Sequence, residues 1–222
     1  MSLSLLAKIL SLAIIAFLTI YFLHNRYTKH QYKPEIKDNA IQSYMFAWDK
    51  KDNLMQGKDM CGAYVFVALQ TIFWLPQASH KAIFNRLSWV TFWQGILPSS
   101  LENLLISEGL SVKVPMWNNE ISDKDKITVL QNELNQWHPI VLAIKANWPH
   151  YVLVLWYNQT KDEIYLYDPF LDRDPSQTYT KDKNGEDLPG NSTLSNTQLL
   201  DKRSQGWKFW LYNYYAIIVT QP

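Results

Sequence analysis

The 222-residue sequence predicts an α+β fold, and three observations carry the prediction. Stretches with helical spacing come first and stretches that read as strands come after, each in one block. Ten Trp and thirteen Tyr favour a sheet-rich core or an aromatic-lined groove over a helical bundle. The segment after Cys61 is apolar all round, as a central buried helix must be. Hydrophobic residues make up 47% of the chain, enough for one substantial domain plus an accessory segment. The net charge of +1 supplies no field to attract nucleic acid, so that partner class is set aside. A single cysteine excludes an intramolecular disulfide framework.

The elements follow in order. From Leu3 to Leu23 the only charge is Lys8, about the length that spans a bilayer with the lysine reaching to one side. Tyr21, Phe22 and Leu23 are too bulky for a signal-peptide cleavage site, so residues 1 to 30 read as an uncleaved, single-pass membrane anchor. Arg26, Lys29 and Lys33 favour a cytoplasmic domain by the positive-inside rule, whereas Lys8 as a signal-anchor n-region favours the opposite side. The side therefore stays open. Residues 31 to 43 are polar and read as a tether, and 44 to 222 as the domain.

A helix is expected from near Met60 to Trp74, capped by Asp59 and stopped by Pro76. Residues 80 to 95 hold rough helical spacing, and Leu101 to Leu110 form a short helix ended at Gly109. Ser111 to Val114 is a strand, and Lys126 to Trp137 a helix stopped by His138-Pro139. Residues 139 to 146 are a strand leading into a hairpin. Residues 171 to 206 are a long polar loop or insertion, with a short helix around Leu199 and Leu200. Trp207 to Thr220 returns to a strand pattern.

Two stretches carry candidate chemistry. In Gln56-Gly-Lys-Asp-Met-Cys-Gly62, Cys61 falls in the first turn of the expected helix. Free amides and the helix dipole there favour thiolate over thiol. Gly62 admits a close approach of backbone or substrate. The second stretch is Pro149-His150-Tyr151 through Tyr167-Asp168-Pro169, two apolar runs flanking a polar turn. A turn centred on Thr160 puts His150 opposite Phe170 and Val152 opposite Asp168. His150 and Asp168 are then diagonal neighbours on one face. A shift of one residue would separate them. A lone cysteine is otherwise a small buried hydrophobe.

The order Gln, Cys-Gly at a helix start, His at the head of a strand and Asp-Pro at the end of the next resembles the C39-like cysteine peptidases. Three motifs carry the resemblance over roughly residues 50 to 220: Gln56 to Gly62, His150-Tyr151-Val152 and Tyr167-Asp168-Pro169. It implies a papain-like fold, with a cysteine-bearing helix packed on an antiparallel sheet that bears His and Asp. It implies Cys61 as nucleophile, His150 as general base, Asp168 as its orienting partner and Gln56 as an oxyanion-hole donor. It also implies a peptide or protein substrate, processing of a leader or membrane-proximal peptide, and a separate chain for any exporter partner. The chain departs from the family pattern at Met60, at Ala63 where a proline is common, and in a Gln-to-Cys spacing one residue short.

Two other readings fit the same residues. A transglutaminase-like acyl transferase shares the Cys, His, Asp order, and a non-catalytic peptide-binding domain could use the same fold. No cofactor is expected. The five histidines show no paired ligand spacing, so no metal site is expected, and Asp182 to Asp187 does not match a calcium loop. Asn158-Gln-Thr160 and Asn191-Ser-Thr193 match glycosylation sequons.

Overall fold

The structure is a computed structural model describing residues 3–26, 30–36, 43–46, 48, 52, 54–56, 60–87, 96, 98–117, 121–145, 149–170, 190–204 and 214–221. At its centre lies a mostly antiparallel sheet whose long middle strands are apolar on both faces. β4 (Ile140–Lys145) and β8 (Ala216–Thr220) have almost no polar alternation and are buried on both sides. A sheet of this kind requires a layer of helices on each face.

The strands run in the order β1 (Gln31–Tyr32), β3 (Ser111–Pro115), β8, β4, β5 (Pro149–Asn158), β6 (Glu163–Tyr167), β7 (Ser192–Ser195). β2 (Ser43–Met45) pairs with the far end of β5, and among the described strands only the β1–β3 pair is parallel. One face carries Val141, Ala143, Tyr151, Leu153, Ile217 and Val219. It packs against α2 (Cys61–Ile72), α3 (His80–Leu87) and α4 (Pro98–Ser107). The other face carries Ile140, Leu142, Val152, Val154, Ile164 and Leu166. It packs against α5 (Asp123–Asn135) through Ile127, Leu130 and Leu134, and against α6 (Asn196–Ser204) through Leu199. Each such fully buried aliphatic side chain contributes ~1.5–3 kcal/mol.

Several expectations are corrected. Helices and strands do not fall into two blocks: α5 separates β3 from β4, and α6 lies between β7 and β8. The class is mixed α/β, in place of the expected α+β papain-like arrangement, because both sheet faces are apolar and each takes its own helices. α1 (Leu3–Arg26) is helical for 24 residues. Among the described residues, however, no helix is long and apolar enough to cross a membrane. The expected anchor, the membrane as partner and the membrane localisation are corrected accordingly.

The expected tether is partly built into the sheet. Val114 donates its N–H to the carbonyl of His30, and Met116 donates to that of Tyr32. The expected polar insertion also contains fold: β7 pairs with β6, and α6 buries Leu199. Residues 171 to 189 of that insertion, 88 to 95 of the third expected helix and 207 to 213 of the last expected strand lie outside the described residues.

α2 is the helix expected to be all-round apolar, and Val65, Phe66 and Leu69 are fully enclosed. Its C-terminal end is held by one side chain. Gln70, buried within α2, donates to the Pro76 carbonyl at 2.9 Å and accepts from the Ala78 N–H at 3.1 Å. That pair of bonds supplies partners where Pro76 prevents the helix from continuing.

Candidate active site

α2 begins at Cys61 itself, with Met60 as its N-cap. The expected cap, Asp59, lies outside the described residues. Met60 has no side-chain acceptor for the first-turn amides, and the first intrahelical bond is Tyr64 N–H to the Met60 carbonyl. The Cys61 amide is therefore one of the helix-start donors without an intrahelical partner. Gly62 is closely covered. A Cβ there would lie 2.7 Å from Ile96 Cδ1 and 3.6 Å from the Tyr151 ring. Tyr151 in turn donates to the Ile96 carbonyl at 2.8 Å. The close approach that a glycine permits is thus made by Ile96 and β5.

His150 sits at the start of β5, opposite Ile144 of β4. Asp168 follows the last residue of β6. What brings them together is a register change inside the β5–β6 hairpin. Near the turn, Asn158 faces Glu163 and Trp156 faces Tyr165; beyond it, Val154 faces Leu166 and Leu153 faces Tyr167. The shift falls between Val154 and Trp156, so Leu155 is the extra residue of a β-bulge. The core records the flip: Val152 and Val154 share a cluster with Tyr157, whereas Leu155 joins Leu153 on the other face. Continued past Tyr167, the site-end register puts Asp168 opposite Val152, on the same pleat as His150. The expected diagonal pairing is met, although the turn-end register differs from the expected one by one residue.

The pair closes at 2.6 Å, with His150 Nε2 donating to Asp168 Oδ1. The same Oδ1 accepts the Phe170 N–H at 2.9 Å. The Phe170 ring, half exposed, meets the imidazole edge-on with centroids 5.7 Å apart. Both members of the pair are buried. With Nε2 engaged, Nδ1 is the ring nitrogen left for Cys61, which acts on His150 through hydrogen bonding and charge. Cys61 belongs to the core cluster on the opposite sheet face, so the contact is made at the sheet's end, where β5 begins.

Burial pushes the His150 imidazole down. The hydrogen bonds to Asp168 and Cys61, with the charges of both, outweigh burial and raise it to about 9. The ring is therefore held as imidazolium at neutral pH, with Cys61 near enough to act on it.

Gln56 is brought to the site by its backbone. Its N–H donates to the Pro169 carbonyl at 2.7 Å, and two residues earlier the Leu54 carbonyl accepts from the Tyr167 hydroxyl at 2.6 Å. The segment before α2 is thereby stitched to the end of β6. The Gln56 Oε1 is buried without a hydrogen-bond partner.

Sequence reasoning missed Asn191 as a site residue. Its Oδ1 accepts the Asp168 N–H and its Nδ2 donates to the Asp168 carbonyl, each at 2.7 Å. The only available signal was Gly190-Asn191 within a polar stretch, a turn-type dipeptide. Among the described residues no group of His, Cys, Asp and Glu is placed to hold a metal ion. No protein-family model matches this chain, and no curated protein matches it.

Proposed function

We propose that the protein is a cysteine peptidase that cleaves peptide bonds by acyl transfer through Cys61, His150 and Asp168. The observation that carries the reading is a buried imidazole bound at 2.6 Å to Asp168 on one side and acted on by the only cysteine on the other. Cys61 Sγ attacks the scissile carbonyl carbon as thiolate. The oxyanion that forms is received by the Cys61 N–H at the helix start and by the Gln56 side-chain amide. The C–N bond then breaks, and the His150 imidazolium gives its proton to the departing amine. Water, deprotonated by the now neutral His150, attacks the thioester and releases the acid, restoring the thiolate–imidazolium pair. Asp168 keeps Nε2 protonated and the ring in plane throughout. On the same reading the chain is a C39-like enzyme acting on a leader or another exposed peptide.

The test pairs hydrolysis of a peptide library with Cys61→Ala. Cleavage by the wild type and none by the variant, with an unchanged circular dichroism spectrum, is the expected result. Residual wild-type cleavage in the variant would remove Cys61 from the mechanism. Amine incorporation in place of hydrolysis would redirect the acyl transfer to a transglutaminase-like reaction.

A further inference from the structure

We propose that Asn191 is a positioning residue for the Cys61–His150–Asp168 site, fixing the backbone of Asp168 and thereby the carboxylate that holds His150; the proposal rests on the peptidase reading above. Asp168 stands where the sheet stops supporting it. The last registered pair between β6 and β7 is Leu166 with Ser192. Pro169 follows and has no N–H to contribute. The peptide groups on either side of the Asp168 Cα would leave the ladder without partners, in a part of the molecule where Asp168 is buried. One side chain supplies both. The Asn191 carboxamide accepts from the Asp168 N–H and donates to the Asp168 carbonyl, at 2.7 Å each, as a neighbouring strand's peptide would.

The approach of Asn191 is itself fixed. Its own N–H donates to the Leu166 carbonyl at 3.0 Å. Gly190 before it has φ +77°, and a Cβ at that position would lie 2.2 Å from Leu166 O and 3.1 Å from Leu155 Cδ1. No side chain fits against a backbone carbonyl at that distance, so only glycine lets the chain come in. The residue type at 191 is equally constrained. A carboxylate there has no donor for the Asp168 carbonyl, and serine has one short hydroxyl for two groups. The glycine and the asparagine thus form one device, running from Leu166 through Asp168 Oδ1 to His150 Nε2.

A structural clamp and a positioning residue predict different results for the imidazole. The experiment follows the His150 ring by NMR titration of the full chain with labelled histidine, the signal assigned by its loss in His150→Ala. Wild type, Asn191→Ala, Asp168→Asn and the double variant are compared, together with their melting temperatures. The expected wild-type midpoint is about 9. Asn191→Ala should lower it by about one pH unit. Asp168→Asn should lower it at least as far, and Asn191→Ala added to Asp168→Asn should lower it no further. If Asn191→Ala does not fold, Asn191→Ser, which keeps a hydroxyl for one of the two bonds, is read in the same way. A midpoint lowered by Asp168→Asn but left in place by the folded Asn191 variant overturns the positioning role and leaves the peptidase reading standing. A midpoint that neither variant moves overturns both. Repeating the Asn191 comparison in Cys61→Ala keeps the effect through Asp168 separate from any effect of the sulfur.

Discussion

Two imidazole–carboxylate pairs among the described residues have nearly the same separation and different surroundings. His150 meets Asp168 at 2.6 Å, and His138 meets Glu133 at 2.7 Å. Each carboxylate has a second donor: the Phe170 N–H for Asp168, the Tyr32 hydroxyl for Glu133. The difference lies in what each group faces next. His150 is buried and its other nitrogen is left for Cys61. His138 follows the end of α5 with its side chain a fifth exposed, and its carboxylate ties α5 to β1 through Tyr32. Burial pushes Glu133 up, but hydrogen bonds from His138 and Tyr32 and the charges of His138 and Lys113 bring it below the ordinary carboxylate value. Burial, and then Glu133, push Tyr32 up, so it stays a protonated donor. A His–carboxylate pair is thus not a reactive site in itself; on the proposed reading, the cysteine beside the free nitrogen makes the difference.

Exchanging the two histidines tests this most severely. His150→Ala is expected to lower kcat/KM for a cleaved peptide by ~10³-fold or more, since the proton donor and acceptor are both lost. His138→Ala should stay within about twofold in the same initial-rate assay, on the ground that it touches none of the reacting groups.

The next effect is on pH dependence. Because His150 is raised to about 9, cleavage should fall as pH rises through that value, where the imidazolium is lost. The stabilisation from its folded-state partners follows the same sign. It is fully present below the ordinary imidazole value of 6.5 and disappears as pH climbs through about 9. Asp168→Asn should move the alkaline limb of a kcat/KM profile downward and lower the rate by roughly 10–10²-fold. An alkaline limb that stays in place would mean that Asp168 does not set the charge on the ring.

The smallest effect concerns stability alone. Glu133→Gln should leave the rate of Cys61 alkylation by iodoacetamide unchanged and lower stability at neutral pH by ~1–3 kcal/mol, through the weakened bonds to His138 and Tyr32. Glu133 is held below its ordinary value of 4.5, so its contribution is present above that value and is lost as pH falls through the lowered one. Chemical denaturation of wild type and variant should therefore converge in acid.

The residues proposed to carry chemistry could be picked out because they sit at element ends with strong local signals. Cys61 precedes an unbroken apolar run, and Pro149 and Pro169 mark the ends that bear His150 and Asp168. The pairing of His150 with Asp168 came from an assumed turn centre, and it holds at the site through a compensation that period-two reasoning cannot see. The bulge at Leu155 has no composition of its own; it occurs where the neighbour of β5 changes from β4 to β2. Asn191 was unreadable for a related reason. Its partner is the backbone of a residue 23 positions away, and a backbone leaves no trace in a side-chain pattern. The two-block reading overlooked elements that were themselves expected: the helix from Lys126 to Trp137 already stood between two strands, and the one around Leu199 preceded the last; β7, short and polar, went unread.

The bulge also sets where this chain tolerates changes in length. On the site side of Leu155, β5 is anchored residue by residue to β4, from Val154 opposite Ile140 to Pro149 opposite Lys145. On the far side, the register is held by β2 and the turn. The hairpin therefore behaves as two segments joined at a hinge in the numbering. A residue inserted between Asn158 and Glu163 would be absorbed at the solvent-facing tip, where Gln159 to Lys161 are exposed. Removal of Leu155 would close the bulge into a regular ladder, leaving Asp168 opposite Val152 and on the pleat of His150, at the cost of one fully buried leucine. For grafting loops or tags, the turn is the permissive position and the site-side half of β5, paired throughout to β4, the forbidden one.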